Sequence, residues 1–215
     1  MILRKAIRNS TATKILDVGC ADGGFSDMLL SKLKASSLVG IDLSVKEIHF
    51  GKNKGVSSIL NYIQADVTAL PISSDMFDLV FAKDLLHHLN KPIRALCEFR
   101  RVLKRNASLI IIEADRANPF MSLYIRLGHN HFTVAQLSSL IRKAGLKDYK
   151  VEKISAYPHH FLFISKNPFD LIWDSFALIF LSVCCIFPSI TTYMAKLVSS
   201  LTPYSYNIII WRNEE

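Results

Sequence analysis

Three groups of residues in this sequence have the types and spacing to do chemistry. The first is histidine: His87-His88 form one pair, and His129 and His131 stand two apart. An imidazole changes charge near neutral pH, so any of these four could take a proton from a hydroxyl or carbon nucleophile. The second is a glycine-rich run, Asp17-Val-Gly-Cys-Ala-Asp-Gly-Gly24, whose glycines permit a tight turn and let main-chain amides approach a ligand. The third is a pair of carboxylates, Asp42 and Asp66, each following a short apolar run. Carboxylates at such strand ends can accept hydrogen bonds from ribose hydroxyls.

These groups need a scaffold, and the apolar periodicity supplies one. Short β-branched runs at 14–18, 38–42, 59–64, 77–82 and 108–113 read as strands. Between them lie amphipathic stretches. Phe25, Met28, Leu29 and Leu33 recur at helical spacing, Ser44 caps a helix with Glu47 three residues on, and Pro92 opens one running to about Lys104. Thr133 and Gln136 form a capping box for a helix that stops at Gly145. Regular alternation of strand and helix predicts a doubly wound α/β fold, a mostly parallel sheet covered on both faces. In that fold the glycine turn, Asp42, Asp66 and His87-His88 all fall at the carboxyl edge of the sheet, where ligands bind. From Gly19 the turn reads G-x-A-x-x-G, and Asp42 follows Gly19 by 23 residues. On these residues alone a dinucleotide and S-adenosylmethionine are both admissible.

Gln64-Ala-Asp66 and the ordered stretch LPISSDMFDLVFAKDLLHHLNKPIRALCEFRRVLKRNASLIIIE, residues 70–113, separate the two. With them the sequence resembles the class I S-adenosylmethionine-dependent methyltransferases over residues 12–157, most nearly the small-molecule and quinone-biosynthesis branch. The resemblance implies a seven-stranded Rossmann-like sheet with an antiparallel last strand, and S-adenosyl-L-methionine as cofactor. It implies that Asp17, Gly19, Cys20, Ala21 and Gly23 surround the methionine part, Ala21 standing where the family often has glycine. It further implies that Asp42 binds the ribose, Leu43 packs on the adenine, and Asp66 with Val67 meets the adenine edge. Lys83, after the fourth strand, lines the mouth between cofactor and substrate. The family's adenine-N6 signature, Asn-Pro-Pro-aromatic, is replaced by Ala82-Lys-Asp-Leu85, which argues against DNA as substrate. The candidate base is one of His87, His88, His129 and His131.

Methyl transfer needs alignment and exclusion of water rather than a metal. Neither His129-Asn-His131 nor His159-His160 has a recognisable further ligand in the sequence, so no metal site is expected. The four cysteines form no CxxC pair, which favours a reducing, cytoplasmic compartment. The net charge of +8 favours an anionic partner. Arg94, Arg100, Arg101, Lys104 and Arg105 read as a solvated helix face, and without interleaved aromatics they give little support to RNA.

Half of the residues are hydrophobic, and the excess is local: 21 consecutive positions, 175–195, carry no charge. The residues divide into a core over 1–157, an apolar helical insertion over 158–203, and a closing strand over 204–215. A single membrane span would strand the final 206–211 run on the side opposite the sheet. Pro188 splits the insertion, and the arm over 189–201, at ~1.5 Å per residue, is too short for ~30 Å of hydrocarbon. The expectation is therefore a returning, membrane-surface excursion, with a lid or a homodimer face as the alternative. Taken together, these features predict methyl transfer to a hydrophobic or lipid-linked small molecule by a peripheral or monotopic protein. The alternatives are a non-catalytic membrane-tethered binding subunit, or an RNA or protein methyltransferase.

Overall fold

The computed structural model describes residues 13–33, 35–55, 57–116, 131–156 and 204–213. The expected insertion over 158–203, His129 and the His159-His160 pair lie outside them. Seven strands form one sheet: β1 (Lys14–Val18), β2 (Ser37–Asp42), β3 (Leu60–Gln64), β4 (Phe77–Lys83), β5 (Leu103–Ala114), β6 (Lys150–Ala156) and β7 (Tyr204–Arg212). Among the described residues four helices accompany them: α1 (Gly24–Lys32), α2 (Val45–Lys54), α3 (Pro92–Val102) and α4 (Val134–Lys143), with a 3₁₀ turn at Leu86–His88. The strand order is β3-β2-β1-β4-β5-β7-β6. Strands β1 to β5 pair in parallel, and β7 runs antiparallel between β5 and β6. The α/β fold with an antiparallel last strand is as expected.

The central strands read as unbroken apolar runs because both of their faces are covered. Leu16 and Val18 of β1 join Val80 and Ala82 of β4, Leu109 and Ile111 of β5 and Ile209 of β7 in one core. That core is closed by Leu96 and Phe99 of α3 and by Leu137 and Ile141 of α4. Ile15, Leu79, Phe81, Ile110, Ile112 and Ile208 point the other way, against Leu29 and Leu33 at α1 and the residue after it. The chain leaves β1 toward β2 on one side, while β4 flanks β1 on the other. The ends of β1 and β4 therefore form the switch point at which a crevice opens.

The caps follow their sequence signals. Ser44 Oγ accepts the Glu47 amide at 3.3 Å. Thr133 and Gln136 make both halves of the capping box, and Gly145 leaves α4 at φ 80°. Two boundaries differ from expectation. The helix opened by Pro92 ends at Val102, and β5 starts at Leu103 rather than near 108. Leu103 is completely buried and pairs with Phe77, so it begins the strand before the register shifts and resumes at Ser108 with Leu79. Asn106 takes φ 60° within this bend. Arg101 also departs from the expected solvated face: its guanidinium donates to the Leu70 and Ile72 carbonyls and to Glu98, stapling the loop after β3 onto α3.

Candidate active site at the carboxyl edge of the sheet

Each strand end on this edge delivers one polar group. At the end of β1, the Gly19 and Cys20 amides donate to the Ile41 carbonyl at 2.7 and 3.0 Å, which ties the turn to β2. Gly19 has φ 72°, and a Cβ there would sit 2.9 Å from the Leu85 side chain, so glycine is needed for both conformation and space. Ala21 adopts φ 47°, a left-handed conformation that alanine pays for and glycine would not. Gly23 caps α1 at φ 79°. Tyr62 Oη donates to the Asp22 carbonyl at 2.9 Å, and Lys54 pairs with the Asp22 carboxylate at 3.1 Å.

Asp42 ends β2 and joins two segments. Its Oδ2 accepts the Ala21 amide at 2.8 Å, and its Oδ1 accepts the Ser44 amide at 2.8 Å. Leu43 beside it is 69% exposed, an apolar side chain left uncovered at the crevice. After β3, exposed Asp66 accepts the Thr68 amide, and this bond holds its carboxyl below the ordinary range. Val67 and Cys20 instead turn into the protein, each 5% exposed. Asp17 is buried with Ser26, whose hydroxyl donates to it. Burial pushes the Asp17 carboxyl up to about 7, the neighbouring charge of Asp42 adds to this, and Ser26 and Lys83 oppose it.

At the end of β4, Lys83 pairs with Asp84, and its ammonium lies 5.8 Å from the Phe25 ring centre and 5.9 Å from that of Tyr206. Asp84 turns the chain at φ 49°, and the 3₁₀ turn follows. Here the structure supplies a residue that the sequence reading missed. Glu113, at the end of β5, is fully buried. Its Oε1 accepts the Leu85 and Leu86 amides at 3.0 and 2.6 Å, and its Oε2 lies 2.8 Å from His87 Nδ1. An acidic residue closing the run Leu109-Ile-Ile-Ile112 was the available signal, because a charge there must enter the interior with its strand.

The four histidines separate. The His87 side chain is 5% exposed, and its ring centre lies 4.0 Å from that of His88 and 4.2 Å from that of His131. His131 is 7% exposed, whereas His88 is exposed at the surface. The segment carrying His131 is held by Phe132, which bridges to Asp115 and accepts the Arg116 amide at 3.1 Å. Ligand atoms of His87, Glu113 and His131 all lie within 4.8 Å of one another. The sequence showed no further ligand for His131, and the fold brings it two neighbours of ligating type. Across from Glu113 on β7 stands Asn207, fully buried on the same face of the sheet.

Residues 16–111 match the family model described as "Methyltransferase domain". The chain is similar to malonyl-[acyl-carrier protein] O-methyltransferase of Paenibacillus sp. (strain JDR-2), 29% identical over 58% of this chain and 46% of the relative. It is also similar to demethylmenaquinone methyltransferase of Bacteroides fragilis, 24% identical over 67% of this chain and 61% of the relative. Thus the chain spans less than half of the first of these relatives and under two thirds of the second. Among solved structures, a Haemonchus contortus phosphoethanolamine N-methyltransferase 2 in complex with phosphomonomethylethanolamine and S-adenosylhomocysteine superposes with a TM-score of 0.69. That likeness, at 16% identity, covers all of this chain and 52% of the other.

Proposed function

We propose that the chain is a class I S-adenosylmethionine-dependent methyltransferase, as its match to the methyltransferase family model over residues 16–111 supports, and that it transfers a methyl group from S-adenosylmethionine to a hydrophobic or lipid-linked small molecule. The observation that carries this reading is the set of acids at or just beyond successive strand ends, Asp17, Asp42 and Asp66, around a turn that takes left-handed conformations at Gly19, Ala21 and Gly23. S-adenosylmethionine supplies a methyl carbon on a cationic sulfur, and S-adenosylhomocysteine is the by-product.

The residues present fit that donor. Asp42 exchanges bonds with its own loop for bonds to the ribose hydroxyls, and exposed Leu43 gives the adenine an apolar face. Asp66 meets the adenine edge, with Val67 contributing main chain because its side chain is in the core. Asp17, Gly19, Cys20, Ala21 and Gly23 enclose the methionine part. Lys83 lines the mouth toward the acceptor. Of the candidate bases, His87 best combines burial with a fixed partner, while exposed His88 and buried His131 flank its ring. His129 lies outside the described residues.

An apolar acceptor is supported by the uncharged 175–195 stretch and by the similarity to an enzyme named for a demethylated quinone. The same features support a cytoplasmic, membrane-surface location, with the 158–203 insertion as the contacting element or as a lid. Among the described residues no helix is long and apolar enough to cross a membrane.

The test is incubation of the protein with radiolabelled S-adenosylmethionine and a membrane extract, followed by solvent partitioning. Label is expected in the lipid phase. Label confined to aqueous macromolecules would sink the lipid-acceptor reading. Asp42→Ala removes a carboxylate whose charge-assisted bonds are worth about 1.5–3 kcal/mol each. It should therefore weaken S-adenosylhomocysteine binding at least tenfold by calorimetry, and unchanged affinity would remove the ribose assignment.

A further inference from the structure

Two imidazoles and a carboxylate converge where the sequence offered only separate histidines. His87 comes from the 3₁₀ turn after β4, Glu113 from the last turn of pleat in β5, and His131 from the segment that enters α4. One ligating atom of each lies within 4.8 Å of the other two, and Glu113 and His131 are buried. Donors held ~2.0–2.2 Å from one tetrahedral zinc ion stand about 3.3–3.6 Å from each other. The 2.8 Å between His87 Nδ1 and Glu113 Oε2 needs to open by about half an ångström, and no separation needs to close by more than about 1.5 Å.

The supports that a metal site requires are also in place. Glu113 Oε1 accepts the Leu85 and Leu86 amides at 3.0 and 2.6 Å, which aims Oε2 at the imidazole, and carboxylates that bind metals are oriented in this way. Phe132 anchors the segment carrying His131 to Asp115 and Arg116. Beside Glu113, Asn207 supplies a second observation. It is 0% exposed, and neither its Nδ2 nor its Oδ1 meets a hydrogen-bond partner among the described residues. It stands opposite Glu113 in the β5–β7 register, while Ile111 and Ile209, two residues back on the same face, are core. A buried carboxamide with both ends unmet is costly unless something polar completes it. A metal ion brings bound water into an otherwise apolar place, and with it the partner that Asn207 needs.

We propose that His87, Glu113 and His131 hold one divalent transition-metal ion of the zinc class. Imidazole nitrogen suits zinc, cobalt(II) and iron(II), whereas magnesium and calcium call for oxygen donors throughout. Three protein donors leave a fourth position open, the pattern of zinc sites that exchange a ligand rather than of closed structural ones. The ion replaces the hydrogen bond between His87 and Glu113 with a coordinate bond to each. It ties the turn after β4, the end of β5 and the approach to α4 together at the crevice. With the ion bound, His87 is a ligand and leaves the set of candidate bases. The site goes beyond the methyl-transfer reading and does not depend on it.

Tag-free full-length protein, stripped with a chelator, is titrated with Zn²⁺ near neutral pH by calorimetry. One equivalent is expected to bind, undisturbed by excess Mg²⁺, and to raise the melting temperature. His87→Ala, Glu113→Gln and His131→Ala should each weaken Zn²⁺ binding about 100-fold or more, since even groups that only orient a ligand are worth about 10–100-fold. Cys97→Ser removes an exposed thiol and should bind Zn²⁺ as wild type does. Co²⁺ in the site should give the intense visible absorption of a four-coordinate ion, altered by azide at the open position and absent from His131→Ala.

Failure of the wild type to take up Zn²⁺ stoichiometrically overturns the proposal whether or not the variants fold. So does tight uptake that persists in His87→Ala and His131→Ala proteins shown to be folded by circular dichroism, or uptake lost in Cys97→Ser. None of these readouts involves methyl transfer, so they stand apart from the outcome of the radiolabel experiment.

Discussion

Asp17 makes a stability prediction that can be worked through. Its carboxyl is 2% exposed and is raised from 3.8 to about 7, chiefly by burial. Between those values the folded chain holds a proton that the unfolded chain has released, so stability falls as pH rises through this window. At about 1.4 kcal/mol per unit the full cost is about 4 kcal/mol, of which about 3 kcal/mol accrues between pH 5 and pH 8. Asp17→Asn keeps an acceptor for the Ser26 hydroxyl but cannot ionise. Relative to wild type, the variant should therefore gain about 3 kcal/mol on going from pH 5 to pH 8. Urea unfolding of both proteins at pH 5, 6, 7 and 8, without ligand, measures this directly, and all other titrating groups cancel in the difference. Parallel stability curves across that range would refute a buried, strained carboxylate at the glycine turn. On the proposed reading Asp17 lies beside the methionine part of the donor, so the same variant should also bind the cationic methyl donor more weakly.

Two other positions give independent checks. Asp78 accepts the Thr13 and Lys14 amides and the Thr13 hydroxyl and pairs with Lys104, and these bonds outweigh its desolvation and hold its carboxyl at about 2. Its stabilising effect is complete above the ordinary value of 3.8 and is lost as pH falls toward 2, so Asp78→Asn should remove about 2 kcal/mol at pH 6 and flatten acid unfolding between pH 4 and pH 2. Gly51 lies inside α2, where alanine normally stabilises by about 1 kcal/mol. A Cβ there would meet the Asp22 carbonyl oxygen at 2.4 Å, so Gly51→Ala should instead lower thermal stability, by about 1–3 kcal/mol, and weaken S-adenosylhomocysteine binding through the displaced turn. An unchanged or raised melting temperature would contradict the packing of α2 on the glycine turn.

Much of the scaffold was legible because its signals are local. The runs at Lys14–Val18 and Phe77–Lys83 are apolar on both faces, and Ser44, Thr133 with Gln136, and Gly145 punctuate the helices by their own chemistry. The bend in β5 was not legible, since nothing in Lys104-Arg-Asn106 announces a strand. It follows from Leu103 pairing with Phe77, a contact made only after the sheet assembles. Arg101 looked like one charge among several on a helix, and only the loop folded over it made it a staple.

The order of the glycine turn, Asp42 and Asp66 along the chain determined that these groups share one edge of the sheet, because parallel strands all present their carboxyl ends together. The four histidines were equivalent in the sequence, since imidazole chemistry depends on the atoms around the ring. Tertiary structure alone brought Glu113 to His87 from 26 residues away, left His88 at the surface, and set Asn207 opposite Glu113 from the far end of the chain. Burial and hydrogen-bond partners are properties of the packed sheet, and they distinguish a histidine held against a carboxylate from one that is merely nearby.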